Sequence, residues 1–370
     1  MRAANFHYIA GLSLTFVVHG NAPFMSGFHM NDTRPSAPTN NTLPMTPRLP
    51  LIRPRRLQSG DTLGLINPSG AIYDAAPFEQ THRALQALGF LTREAPHARA
   101  RYGHMAGTPE QRASDIHTMF ADTTVAGVLA VTGGSGANRV LPLLDYGLIG
   151  RNPKFLGGFS DLTALISAVH VKTGLVTFHS PLGRSDWNAF STENFKAVVM
   201  QAQVHTLRNP GPPAADAASA AARTLTQPIR TLRGGRARGP LMGGNLAVLT
   251  SLAGTPYMPP LDGAILFLED VNEYIYRVDR MLSTLALSGA LSRVAGVVLG
   301  GFTDCKPSEG SFGTLTLDEV FNDYFGHLGV PVYSGAQFGH VLHKLTLPLG
   351  ITAEMDADAG TIRLLEPAVA

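Results

Sequence analysis

One stretch constrains this chain more than any other: residues 154–163, Lys-Phe-Leu-Gly-Gly-Phe-Ser-Asp-Leu-Thr. It reads as a short buried strand, a glycine corner and a serine. The apolar run Leu162, Leu165, Ile166, Val169 then follows at helical spacing. A serine on a strand-to-helix corner exposes its hydroxyl. The N–H of the next residue and the positive end of the helix dipole point toward any negative charge forming there. That geometry suits a nucleophile. It equally suits a plain N-cap, with the Ser160 hydroxyl accepting from the N–H of Thr163. On this stretch alone both readings stand.

The surrounding pattern places the corner in an α/β layer. Residues 62–66 form an apolar strand ending in Asn67-Pro68-Ser69-Gly70, and Phe78, Leu85 and Leu88 mark an amphipathic helix closed by Gly89. Thr108, Pro109 and Glu110 open the next helix with cap, first-position proline and first-turn acid. Residues 125–131 are a buried strand delivering Thr132-Gly133-Gly134-Ser135-Gly136. This loop lacks the Lys-Ser/Thr of a phosphate loop and the spacing of a dinucleotide fingerprint. Strands and helices alternate to about residue 185, which predicts a parallel sheet flanked by helices. If the loops at 132–139 and 157–161 converge, the N–H groups of Gly134 and Asp161 would form an oxyanion hole.

Residues 205–235, with Pro210, Pro212, Pro213 and an alanine-rich tract, read as a linker. A second block follows. Gly243-Gly244-Asn245-Leu246 opens a helix, and the strand 264–268 ends in Glu269-Asp270. Further on come a helix through Arg277 and Leu282, a strand over 294–299, and His340 on a loop. The predicted class is therefore α/β. An N-terminal parallel-sheet domain spans 58–190, a linker 191–237, and a smaller C-terminal α/β domain 238–367, with the site in the cleft between the domains.

Bulk properties exclude several functions. With 370 residues, 44% hydrophobic composition and a net charge of +2, the chain has no electrostatic footprint for nucleic acid. Cys305 is the sole cysteine, which excludes a disulfide framework and a thiolate metal site. His340 and His343 lie three apart with no carboxylate close in sequence, so no metal or other cofactor is expected. The apolar run at 8–18 loosely resembles a signal peptide and falls short of the roughly 20 residues needed to span a membrane. Residues 1–57 are read as a disordered leader, or a start placed too far upstream, outside the fold. No membrane partner is expected, and export is left open by that run.

Seven blocks, in order, resemble the LD-carboxypeptidase family of serine peptidases, which includes muramoyltetrapeptide carboxypeptidases and microcin-immunity peptidases. They are 132–139, Gly-Phe-Ser-Asp-Leu-Thr at 158–163, Gly-Gly-Asn-Leu at 243–246 and Gly-Thr-Pro-Tyr at 254–257. Leu-Glu-Asp at 268–270, Arg-Val-Asp-Arg-Met-Leu at 277–282, and Phe-Gly-His at 338–340 running to Pro-Leu-Gly at 348–350 complete the series. The resemblance covers roughly residues 61–365. It implies Ser160 as nucleophile, His340 as general base, Glu269 as the acid orienting it, and the N–H groups of Gly134 and Asp161 as oxyanion donors. It implies a muropeptide substrate losing a terminal D-alanine from an L-centre, in peptidoglycan recycling, together with a cytoplasmic location and a homodimer.

One departure stands out. The family's glycine loop commonly reads Arg-Gly-Gly-Tyr-Gly, whereas this chain has Thr132 and Ser135. That alters side chains and spares the backbone donors, and Arg139 is the remaining cation nearby. Two alternatives follow. One is a same-fold peptidase or amidase cleaving a peptide–nucleotide antibiotic or another acyl conjugate, which stacking aromatics such as Trp187 would favour. The other is a muropeptide-binding protein without catalysis.

Overall fold

The computed structural model describes residues 48–211, 228–308 and 313–370. The apolar run at 8–18 and most of the alanine-rich tract lie outside the described residues. Two sheets organise the rest. The first holds β1 (Thr62–Ile66), β2 (Leu91–Glu94), β3 (Val125–Ala130), β4 (Phe155–Gly158) and β5 (Phe178–His179). It also takes in β12 (Leu347–Pro348) from far down the chain. Its order is β12-β5-β4-β3-β1-β2. The first five strands run parallel and β12 lies antiparallel on β5.

Its helices are α1 (Ala76–Ala87), α2 (Pro109–Ala121), α3 (Tyr146–Arg151), α4 (Leu162–Thr173) and α5 (Ala189–Val199). Helix α2 starts as the sequence predicts. Thr108 accepts from the Gln111 N–H while the Gln111 side chain accepts from the Thr108 N–H, a reciprocal capping box. Helix α4 is unusual in being buried over its whole first nine residues, because it has almost no polar face. It fills the space between the two sheets and therefore fixes the residue in front of it, Ser160.

The second sheet holds β6 (Thr206–Arg208), β7 (Arg230–Arg233), β8 (Arg236–Asn245), β9 (Ile265–Val271), β10 (Gly296–Thr303), β11 (Val332–Ser334), β13 (Thr352–Asp356) and β14 (Thr361–Leu364). In the order β6-β14-β13-β8-β9-β10-β11-β7, the central four strands β8 to β11 are parallel and the flanks antiparallel. Its helices are α6 (Leu246–Ser251), α7 (Ile275–Leu287) and α8 (Leu317–Phe325). The chain is thus α/β, with a parallel sheet and a second, mixed one.

Two expectations need correction. Residues 48–57 belong to the fold and not to a leader. The Ile52 N–H donates to Gly174 O (2.8 Å), the Arg56 N–H donates to Ala370 O (2.9 Å), and the Leu57 side chain is buried in the core. A strap with so few apolar residues and two prolines carries no periodicity, so its pairing is invisible in sequence. Likewise 191–237 is not simply a linker. Helix α5 occupies 189–199, β6 pairs with β14, and β7 closes the far edge of the second sheet on β11. Both strands are short, polar edge strands, which show little alternation.

Removing the Leu57 side chain tests whether the strap carries stability. Leu57→Ala is expected to lower the unfolding free energy by about 2–5 kcal/mol, read from the urea midpoint. An unchanged midpoint would mean the strap merely rests on the surface.

Candidate active site

Strand β4 ends in two glycines, and the chain then turns so tightly that Ser160 takes φ 65°. A non-glycine residue in that region costs on the order of 1–2 kcal/mol, and such strain is retained where the surroundings over-determine it. The capping alternative fails here. The Thr163 N–H is taken by the Ser160 backbone carbonyl (2.9 Å), which leaves the Ser160 hydroxyl uncommitted to the helix.

That hydroxyl instead donates to His340 Nε2 at 3.1 Å, and His340 Nδ1 donates to Glu269 Oε2 at 2.8 Å. A carboxylate oxygen only accepts, so the proton of a neutral imidazole sits on Nδ1 and Nε2 is free to accept from serine. Glu269 is completely buried near the end of β9. His340 lies on the loop after β11, where its carbonyl accepts from the Thr303 hydroxyl (2.8 Å) and its ring meets the Phe159 ring edge-on at 4.8 Å. Gly339 adopts φ +88°, and a Cβ there would stand 2.4 Å from Glu269 Oε2. Only glycine lets this loop pass over the carboxylate.

The glycine loop lies against the serine. A Cβ on Gly133 would come within 3.0 Å of Ser160 Oγ and 3.8 Å of the Asp161 nitrogen. The Gly70 N–H donates to Gly133 O (3.1 Å), which fixes the plane of the Gly133–Gly134 peptide, since C=O and N–H are antiparallel across a trans bond. Neither the Gly134 nor the Asp161 N–H is consumed by a loop or turn bond among the described residues. The buried Asp161 carboxylate accepts from the Ala137 N–H (2.8 Å), holding the far end of the loop. Burial pushes its pKa up, opposed chiefly by that N–H.

Sequence reasoning missed Arg112. This buried guanidinium donates to Gly136 O (2.9 Å) and Pro68 O beneath the loop. Its only signal was an arginine within the apolar face of α2. Arg139 touches the Met105 sulfur (3.6 Å). Trp187, the expected stacking aromatic, packs edge-on against Phe195 at 5.1 Å, and its indole donates to Gly183 O (3.2 Å).

Two open cavities meet at Ser160. One, about 700 Å3, is also lined by His340, Thr132, Arg184, Lys344 and Tyr73. The other, about 620 Å3, is lined by Arg139, Asn245, Asp270 and Glu273.

The comparisons with known proteins bear on this arrangement. The LD-carboxypeptidase N-terminal domain matches residues 63–180 and the C-terminal domain residues 238–355. The chain belongs to the LD-carboxypeptidase family. The murein tetrapeptide carboxypeptidase of Pseudomonas aeruginosa is 34% identical over 80% of this chain and 93% of its own length. Among solved structures, the muramoyltetrapeptide carboxypeptidase of Oxalobacter formigenes matches with TM-score 0.66 and 28% identity, over 82% of this chain and 97% of its own. The microcin C7 self-immunity protein MccF, in complex with aspartyl sulfamoyl adenosine, matches with TM-score 0.76 and 27% identity over 86% and 100%. Family membership supports a serine peptidase hydrolase, and the LD-carboxypeptidase fold accounts for both sheets. No described helix is long and apolar enough to cross a membrane.

Beside Glu269 lies a second acid. Asp270 accepts from the Val271 N–H (2.8 Å), Asn245 Nδ2 (3.0 Å) and the Ala247 N–H (3.0 Å). Burial first, then the Glu269 charge, pushes its pKa up to about 6 from 3.8. The folded chain therefore holds the Asp270 proton more tightly than the unfolded chain. That contribution to stability is complete below the unfolded value and is lost as pH rises through about 6. From about pH 4 to about pH 7, wild type should lose about 2–3 kcal/mol of stability relative to Asp270→Asn, which cannot titrate. Parallel urea-midpoint curves for the two proteins would refute it.

Proposed function

We propose that this protein is a serine carboxypeptidase removing the terminal D-alanine from an L,D-linked muropeptide, tetrapeptide to tripeptide, in peptidoglycan recycling. The observation that carries this reading is the hydrogen-bonded chain Glu269–His340–Ser160 beside a glycine loop. In it, residues 58–190 supply the nucleophile and 238–367 its partners.

The geometry supports each step. His340 Nε2 accepts the Ser160 proton as Oγ attacks the amide carbon, and Glu269 stabilises the imidazolium that results. Negative charge develops on the former carbonyl oxygen, where the N–H groups of Gly134 and Asp161 and the N-terminus of α4 would receive it. His340 then gives the proton to the departing amine. Water, deprotonated by the same imidazole, hydrolyses the acyl-serine.

A second reading, cleavage of a peptide–nucleotide conjugate, draws support from the likeness to MccF, solved with aspartyl sulfamoyl adenosine. Against it, Trp187 is engaged with Phe195, away from the cavity walls at Ser160.

Mass spectrometry of a muramyl-tetrapeptide incubated with the protein is the direct test. Wild type should remove one alanine mass and Ser160→Ala none. Glu269→Gln should fold normally and lose about 10²–10⁴-fold in kcat. An intact tetrapeptide after incubation with wild type would remove this substrate.

A further inference from the structure

The two cavities at Ser160 are chemically unlike, and the imidazole orients a substrate between them. The base that takes the serine proton must return it to the departing amine, so the leaving group lies on the side His340 faces. Only the larger cavity is lined by both Ser160 and His340. A carboxypeptidase's leaving group carries the free carboxylate, so that cavity must receive an anion.

Its wall holds Lys344, a residue only 9% exposed. The segment around it is anchored to the start of α5. The Lys344 N–H donates to Ser191 Oγ (2.9 Å) and Asn188 Nδ2 donates to Leu342 O (2.9 Å). The ammonium donates to the Val341 carbonyl and sits 5.7 Å from the Phe159 ring centroid. It forms no ion pair among the described residues; Asp186 and Glu269 act on it only at longer range. Burial accordingly lowers its pKa. A desolvated ammonium without a counter-ion is several kcal/mol unfavourable, so buried cations normally have a partner.

Arg184, exposed on the same wall, reaches the Thr132 hydroxyl at 3.5 Å, and the one acid lining this cavity, Asp74, accepts from the Ala76 N–H (3.1 Å). Thr132 is the position where the family's glycine loop commonly has arginine. Positive charge absent from that loop thus returns from two other segments.

We propose that Lys344, assisted by Arg184, binds the anionic group of the leaving moiety, the terminal carboxylate of the departing amino acid, and thereby makes the enzyme an exopeptidase. This rests on Ser160 and His340 acting as proposed above. The ammonium forms a charge-assisted pair with one carboxylate oxygen, and the guanidinium approaches from the cavity mouth. A nucleotide leaving group would present oxygen acceptors too, anionic on a phosphoryl group and formally neutral on a sulfamoyl group.

The test compares an L,D-tetrapeptide as free acid and as C-terminal carboxamide. Wild type should prefer the acid. In Lys344→Met, kcat/KM for the acid should fall about 10²-fold and that for the amide hardly at all, erasing the preference. Lys344→Arg, which keeps the charge, should retain most of it. An equal fall on both peptides would overturn the proposal and leave Lys344 a structural residue. Equal losses on the acid and on an aminoacyl sulfamoyl adenosine, whose sulfamoyl oxygens are formally neutral, would overturn the carboxylate assignment; loss on the peptide alone would support it.

Binding separates this from failure of the functional reading. If wild type turns over neither peptide, calorimetric titration of both into Ser160→Ala, with and without Lys344→Met, still decides. Preference for the acid that disappears with the lysine supports the site. Indifference to the C-terminus in the parent overturns it.

Discussion

His340 is bonded at both ring nitrogens to groups from different sheets, Glu269 at the end of β9 and Ser160 after β4. Most of the surrounding architecture serves that one imidazole. Helix α4 is buried on all sides over its first nine residues and so holds Ser160 at φ 65° despite the local strain. Gly339 clears the carboxylate, Thr303 holds the histidine carbonyl, and Phe159 limits the ring's rotation. The Asn245 N–H donates to Thr163 Oγ1 (3.0 Å), tying the end of β8 directly to the first turn of α4. Precision at the site therefore comes from the contact between sheets as much as from either sheet.

The sequence was most readable where one local rule decided the outcome. Strands β1, β3 and β4 are short apolar runs, and Thr108 with Pro109 marks the start of α2 without ambiguity. The strand-to-helix corner at Ser160 was legible because glycine, serine and an apolar helix face coincide. What stayed hidden depends on distant partners. Nothing near Leu57 says that Gly174 lies opposite the preceding strap, and nothing in 206–208 says that β14 completes it. The meeting of Ser160, Glu269 and His340 was implied by resemblance to a family, never by spacing. Arg112 and Lys344 were overlooked because a charged residue in a chain of ordinary composition reads as surface until burial is known.

Charge is distributed around the serine with a clear polarity. The cavity beside His340 carries Arg184 and Lys344 with one acid, Asp74, while the opposite cavity carries Asp161, Asp270 and Glu273 alongside Arg139. A substrate with an anionic end and a cationic side chain would lie across the two in one direction only. This asymmetry, built on loops from several segments, also explains how Thr132 can replace a charged residue without leaving its side of the cleft neutral.

Strand β12 has a mechanical consequence. Seven residues beyond His340, Leu347 and Pro348 pair with His179 and Phe178 at the edge of the first sheet. His340 is thereby tethered on a short leash to the layer that carries Ser160, although Glu269 comes from the other. Any hinge-like parting of the two sheets would have to peel this ribbon away from β5. Substrate entry is then a matter for the loops around the cavities. The chain cannot be divided into two independently complete halves at 191–237, because the edge of one half is finished by residues belonging to the other.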